Sequence, residues 1–165
     1  MKVETSLVDL PYLLKEAMAR ELQVSIQYML QHATGAGRTV AGSTKPRTSE
    51  QSKFVASHSS YWLPGATLKK VAITEMRHAE AIAERLVSLG QEPTTEPALV
   101  TLGESITAML ELDKEQERAA IDLYTHIIAV AEEEDDPVTM KLFRRILSDE
   151  ESHHRLFSDL LAKNG

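Results

Sequence analysis

Four stretches of this chain repeat apolar residues at the three- and four-residue spacing of one helix face, and each breaks its repeat with a glutamate where the period calls for a buried side chain. The first stripe reads Leu10, Leu14, Ala17, Glu21, Val24, Tyr28. The second is Leu68, Val71, Ala72, Glu75, His78, Ala79, Ile82, Leu86. The third is Ile106, Leu110, Glu117, Ala120, Ile121, Tyr124, Ile128, Ala131, and the fourth is Leu142, Ile146, Glu150, His153, Phe157, Leu160. Such a chain buries four helices against one another, and it has to neutralise four acids inside the core it makes.

Punctuation sets the helix ends. Asp9 is an N-cap with Pro11 in the first turn, and the first helix runs to about Ala33, before Gly35. The second starts near Pro64 and Gly65 and stops at Gly90. The third begins at Thr101, where Thr101 and Glu104 have capping-box spacing. The fourth opens on Asp136 as N-cap with Pro137 in the first helical position. Each helix has about 25 residues and is about 37 Å long. A tight acidic turn makes the third and fourth helices antiparallel. Residues 91–100, carrying Pro93 and Pro97, reach about 33 Å when extended, enough to cross the bundle lengthwise. The expectation is an all-α four-helix bundle in one domain, 1–165, with a long crossover between helices two and three.

Residues 34–63 read as a long loop insertion. They are rich in Ser, Thr and Gly and set Arg38, Lys45, Arg47 and Lys53 against one acid, Glu50. Residues 50–63 have room for a short helix, and no role follows from the sequence. The absence of cysteine excludes disulfides and thiolate metal sites and fits a reducing cytoplasm. A formal charge of −7 argues against nucleic-acid binding. The N-terminal residues lack the apolar run of a signal peptide, and no stretch is apolar enough for about 18 residues to span a membrane.

Two of the four helices add a histidine one turn after the glutamate and on its face: Glu75-Met-Arg-His78 and Glu150-Glu-Ser-His153. Four carboxylates in a helical core cost several kcal/mol each unless neutralised. Two divalent cations cancel them, and two imidazoles complete the ligand set. Oxygen plus imidazole ligation suits Fe(II) or Mn(II) better than Zn or Cu. The halves of the chain also repeat: Glu21 and Tyr28, like Glu117 and Tyr124, are seven residues apart, and each pair precedes a helix carrying Glu-x-x-His. That pattern relates the ligands by a pseudo-twofold axis.

These segments resemble the ferritin-like superfamily, and bacterioferritins in particular. The run from Glu21 through Tyr28 is similar to their first helix, Glu75-Met-Arg-His78-Ala-Glu to their second, and the run from Ile146 to His153 to their fourth. The resemblance implies a ferroxidase holding two iron ions per chain, with manganese as an alternative. It implies that Glu75 and Glu150 bridge the ions, that Glu21 and Glu117 are terminal, and that His78 and His153 take one ion each. Tyr28 is implied beside the metals as the catalytic residue, near enough to be oxidised or to donate a hydrogen bond. The implied reaction is oxidation of Fe(II) by dioxygen or hydrogen peroxide for iron storage or detoxification. Twelve residues follow His153, so the short fifth helix of bacterioferritin cages is missing, and the long insertion is foreign to them. A homo-oligomer is expected, as a dimer or as a shell of 12 or 24 subunits. The alternative is a non-storage di-iron or di-manganese oxidoreductase in a small oligomer.

Plainer readings compete. Either Glu-x-x-His alone fits an exposed, salt-bridged helix; four helices placing acids at core positions together favour metal. Glu151 and His154 offer the fourth-helix spacing rotated by one residue, but Ile146 and Phe157 bracket Glu150 and His153. Glu111 and Glu115 rival Glu117, whose face Ile121 and Tyr124 continue. Tyr28 and Tyr124 read equally well as core tyrosines. Met76 stands where bacterioferritins carry a haem-ligating methionine; a methionine there is more often interface filler. His32, His58 and His126 read as surface residues, and the acidic run at 132–136 as a solvated turn that helps start helix four.

Overall fold

Asp9 begins the first helix as its position predicts: Oδ1 accepts the Tyr12 N–H at 2.9 Å, and the carbonyl accepts that of Leu13 at 3.2 Å. The computed structural model describes residues 9–41 and 65–164. Helix α1 spans Leu10–Ala41, α2 Gly65–Ser88, α3 Ile106–Glu133 and α4 Pro137–Asn164, and the described residues contain no strand. The bundle is all-α. Gly35 and Gly37 do not end α1, although each costs about 1 kcal/mol relative to alanine inside a helix. Residues 34–41 therefore belong to the helix and not to the insertion. The rest of that segment, with the short helix expected over 50–63 and with His58, lies outside the described residues.

At its C-terminus α2 closes on Gly90, whose φ of 72° is the left-handed geometry glycine adopts at little cost. The Gln91 N–H reaches back to the Leu86 carbonyl at 2.9 Å. The start of α3 differs from expectation. Its N-cap is Ser105, whose Oγ accepts the Ala108 N–H at 3.1 Å, not Thr101. The crossover explains the shift, because it is tied along α1: Ala98 N–H donates to the Ala19 carbonyl at 2.9 Å, and Thr101 N–H to Gln27 Oε1 at 3.4 Å. The chain then folds onto the new helix so closely at Gly103 that a Cβ there would lie 2.5 Å from the Met109 nitrogen. Helix geometry begins only beyond that contact.

Two clusters fix the direction of every helix. One gathers Leu10, Leu13 and Leu14 from the start of α1, Ile82 and Leu86 from the end of α2, Ile127 and Ala131 from the end of α3, and Phe143 and Ile146 from the start of α4. The other joins Val24 and Tyr28, Leu68 and Val71, Leu110, and Phe157 and Leu160 from the opposite ends. Helices α2 and α3 therefore run parallel, with α1 and α4 opposed to them, and residues 89–105 make the long crossover. Packing is closest within the pairs α1–α2 and α3–α4. The stripes hold apart from Ile106 and Ile121, which are half-buried, and from one-residue shifts. Ile127 and Phe143 are fully buried where Ile128 and Leu142 were expected, and the latter two are half-buried. A straight helix drifts against any short repeat, which moves the inward position by one residue over its length.

The start of α4 is clamped. Asp136 Oδ1 caps the Thr139 N–H at 3.0 Å, while its Oδ2 accepts from Thr139 Oγ1 at 2.6 Å and pairs with the Arg85 guanidinium of α2 at 2.5 Å. Replacing Asp136 with Ala removes the cap and the acid paired with Arg85, which keeps its bonds to the Thr139 and Ser88 hydroxyls. The expected loss is about 2 kcal/mol, read as a Tm lowered by roughly 4–8 °C in thermal melts. An unchanged Tm would show that the clamp contributes nothing.

Candidate metal centre

All six side chains singled out by spacing meet midway along the bundle, between the two apolar clusters. Glu21 comes from α1, Glu75 and His78 from α2, Glu117 from α3, and Glu150 and His153 from α4. Each of the four carboxylates is at most 2% exposed. Their ligand atoms fall into two groups, each within 4.8 Å of one another: Glu21, Glu75, His78 and Glu150 in one, and Glu75, Glu117, Glu150 and His153 in the other. Glu75 and Glu150 belong to both. The rivals lie outside the centre, with Glu111, Glu115 and Glu151 exposed and His154 half-buried.

The imidazoles face the acids through Nδ1. His78 Nδ1 lies 3.0 Å from both Glu75 Oε2 and Glu150 Oε1, and 3.5 Å from Glu21 Oε2. His153 Nδ1 lies 2.7 Å from Glu75 Oε1 and 3.7 Å from Glu150 Oε2. Yet Glu21 Oε2, Glu75 Oε1, Glu150 Oε1 and His153 Nδ1 are all buried with no hydrogen-bond partner. His78 Nδ1 bonds Glu75 Oε2, but at the four orphaned atoms closeness without bonding alignment arises because lone pairs converge on shared points, and buried acceptors of this kind are costly unless a cation completes them. The donor set of carboxylate oxygens and imidazole nitrogens fits hard to borderline divalent ions.

The halves of the bundle brace each other across the pseudo-twofold axis. Tyr28 of α1 donates its hydroxyl to Glu117 Oε1 of α3, and Tyr124 of α3 donates to Glu21 Oε1 of α1. Both rings are fully buried and held at 5.3 Å by phenylalanines of α4, Tyr28 by Phe157 and Tyr124 by Phe143. Each outer glutamate thus keeps one oxygen for a phenol and one for the centre.

Electrostatics follow from this crowding. Burial raises the Glu21 carboxyl well above the usual range, and the charge of Glu150 adds to it; burial and then Glu75 do the same to Glu117. Burial alone would lower His153, but the neighbouring Glu150 and Glu75 carboxylates outweigh that and hold it at about 10. His78 is likewise raised despite burial, by Glu150, Glu21 and Glu75. Glu150, against its own burial, is lowered by the two histidines. Without metal the centre balances itself with protons on the imidazoles and outer acids. Burial, followed by the charge of the bonded glutamate, raises both tyrosines.

Two further sets of residues were not anticipated. Asp149 Oδ2 sits 3.2 Å from His78 Nε2, on the side of the ring away from the acids. The sequence marks it only by its place immediately before Glu150, which any solvated acid could occupy. Asp113, fully buried and one turn before Glu117, accepts at Oδ1 from Gln27 at 3.0 Å and Gln31 at 2.7 Å, and Gln23 donates to Gln27 at 2.9 Å. Burial pushes Asp113 up to about 7 against those amide bonds. Glutamines at four-residue spacing on α1 carry that signal. His126 is exposed as expected, whereas His32 is half-buried.

Comparison with known proteins agrees with the geometry. The Ferritin family, a ferritin-like domain, matches residues 65–164. A bacterioferritin of Desulfovibrio desulfuricans is 34% identical over 148 residues, covering 89% of this chain and 71% of that protein. One of Streptomyces coelicolor is 38% identical over 80 residues, 48% of each chain. The X-ray structure of the Desulfovibrio desulfuricans bacterioferritin, described for its diiron site in different catalytic states, superposes with a TM-score of 0.75 at 32% identity, covering 93% of this chain and 78% of that one. Mycobacterium tuberculosis bacterioferritin shares the fold, with a TM-score of 0.76 at 21% identity over 98% of this chain and 87% of its own. Four parallel-and-antiparallel helices, a buried core of four acids and two histidines, and these likenesses place the chain in the ferritin-like family, as a bacterioferritin-like member.

Proposed function

We propose that this protein is a di-iron ferroxidase serving iron storage or detoxification. The observation that carries the reading is the pair of overlapping four-residue groups sharing Glu75 and Glu150, with buried oxygens and a ring nitrogen left unpartnered between them. In this reading Glu75 and Glu150 bridge two ions, Glu21 and Glu117 are terminal ligands, and His78 and His153 hold one ion each. Bound there, the metal pair supplies the redox chemistry that passes electrons from Fe(II), the substrate, to dioxygen or hydrogen peroxide.

The chain's own residues orient and insulate. Tyr124 and Tyr28 fix the rotamers of Glu21 and Glu117 by donating to one oxygen of each. Phe157 and Phe143, with Ile146 and Leu110, close the space on either side and keep bulk water from the acids. The Tyr28 hydroxyl, already bonded to Glu117, has an acceptor for its proton should the ring give up an electron, which is the catalytic part assigned to it.

An apolar face on α1 and α2 supports self-association. Ile26, Met29, Leu30, Ile73 and Met76 line one outward hollow, and each is 38–48% exposed. Met76 in this setting covers contact surface between subunits. No described helix is long and apolar enough to cross a membrane, and the absence of cysteine fits a cytoplasmic setting.

Protein from iron-replete cells is expected to carry about two iron ions per chain and to speed Fe(II) oxidation in air. A preparation that retains no iron and leaves the oxidation rate at that of buffer would overturn the proposal. Sedimentation separates the two forms of the reading: a hollow shell of many subunits fits storage, and a compact dimer fits the non-storage oxidoreductase.

A further inference from the structure

The pseudo-twofold axis pairs Glu21 with Glu117, Tyr28 with Tyr124, Glu75 with Glu150 and His78 with His153. It fails at a position that touches one of the two histidines. Asp149 immediately precedes Glu150, and the residue in the same place before Glu75 is Thr74. The two have opposite consequences for the histidines.

Asp149 reaches from α4 to His78 of α2, with Oδ2 3.2 Å from Nε2. A carboxylate there accepts the Nε2 proton, keeps the ring from turning, and makes Nδ1, which faces Glu21, Glu75 and Glu150, the stronger donor to a cation. Thr74 offers its twofold mate nothing comparable. It has no carboxylate, and its hydroxyl donates to the Lys70 carbonyl of its own helix at 3.2 Å. Among the described residues none bonds His153 Nε2. Burial runs the same way, with the His78 side chain 6% exposed and that of His153 13%.

We propose that Asp149 is a positioning residue that makes the two metal positions unequal, so that the ion on His78 binds first and leaves last, while the ion on His153 is the exchangeable one. The inference rests on the two-metal reading of the centre.

Isothermal titration of the metal-free full-length protein with Co²⁺ under argon tests this without any turnover. The wild type is expected to bind two ions in two steps whose Kd values differ by at least about tenfold, since removing such a partner typically costs about 10–100-fold in affinity. Asp149→Asn weakens the tighter step until the two merge. Thr74→Asp strengthens the weaker step and narrows the gap from the other side, a gain that a merely structural change does not produce. Helical circular dichroism confirms that each variant is folded, and a misfolded Asp149→Asn leaves Thr74→Asp to decide. Two equal steps in the wild type overturn the inequality, and a gap that neither variant moves overturns the part given to Asp149; either result leaves the two-metal reading standing. No Co²⁺ uptake at all overturns both.

Discussion

Glu75→Ala is expected to lose both metal ions at once, whereas Glu117→Ala keeps one. Glu75 contributes to both four-residue groups, and Glu117 only to the group that holds His153. Removing Glu75 takes a ligand from each ion and strips His153 Nδ1 of its nearest acid, 2.7 Å away. Bound Mn²⁺ should fall from about two per chain to well below one, and aerobic Fe(II) oxidation by at least about 10²-fold, since loss even of an outer partner typically costs about 10–100-fold. Glu75→Gln, which keeps the shape and removes the charge, should behave nearly as badly, because an amide oxygen cannot balance a divalent ion as a carboxylate does. Metal analysis after anaerobic dialysis, alongside stopped-flow oxidation, reads both quantities. If Glu75→Ala kept one ion and Glu117→Ala lost two, the bridging assignment would have to be exchanged.

Metal loading should raise the melting temperature steeply, and the gain should grow with pH. At free metal near 1,000 times Kd each site adds about 4 kcal/mol, so two sites add about 8 kcal/mol, or roughly 15–30 °C in Tm for a chain of this size. The pH dependence follows from the protons that hold the metal-free centre together. His153 sits at about 10 when folded, above the roughly 6.5 of a free imidazole, so its contribution is complete below about 6.5 and disappears as pH climbs through about 10. Glu21 and Glu117, also raised, lose stability in the same direction, from about 4.5 upward. Metal-free protein should therefore melt lower as pH rises from 6 to 10. Mn²⁺ replaces those protons with charge that does not titrate away, and its affinity improves as they leave. Calorimetry across that range with and without Mn²⁺ reads both slopes. A metal-free Tm that rises with pH, or a loaded Tm no higher than the unloaded one, would contradict the account of how these acids are neutralised.

Much of the site was legible because the forces that make it are periodic. A glutamate on an apolar stripe is a conflict visible in one dimension, and four such conflicts in register announce a shared counter-charge before any coordinates. Caps with a single chemical solution were equally plain, as at Asp9, Asp136 and Gly90. The start of α3 was not. Thr101 and Glu104 carry the right spacing, but the backbone of Thr101 is bound to Gln27 on a helix some seventy residues away, and a local pattern holds no information about that bond. Gly35 misled in the other direction, since a propensity of about 1 kcal/mol is too weak to end a helix against tertiary context. Asp149 and Asp113 went unseen for a related reason. Each acts through a partner on another helix, and a half-exposed Asp before a ligand has the same sequence signature as any solvated acid.

The crossed phenol–carboxylate bonds carry one more consequence. Each hairpin, α1 with α2 and α3 with α4, holds three of the six ligands, but the tyrosine that aims its outer acid belongs to the other hairpin. Neither hairpin is a primitive version of the centre. Copying one of them yields half the donors and none of the aim, so a single hairpin could complete such a centre only by docking face to face with a second copy. The crossover makes the meeting of the two hairpins a fixed property of one chain.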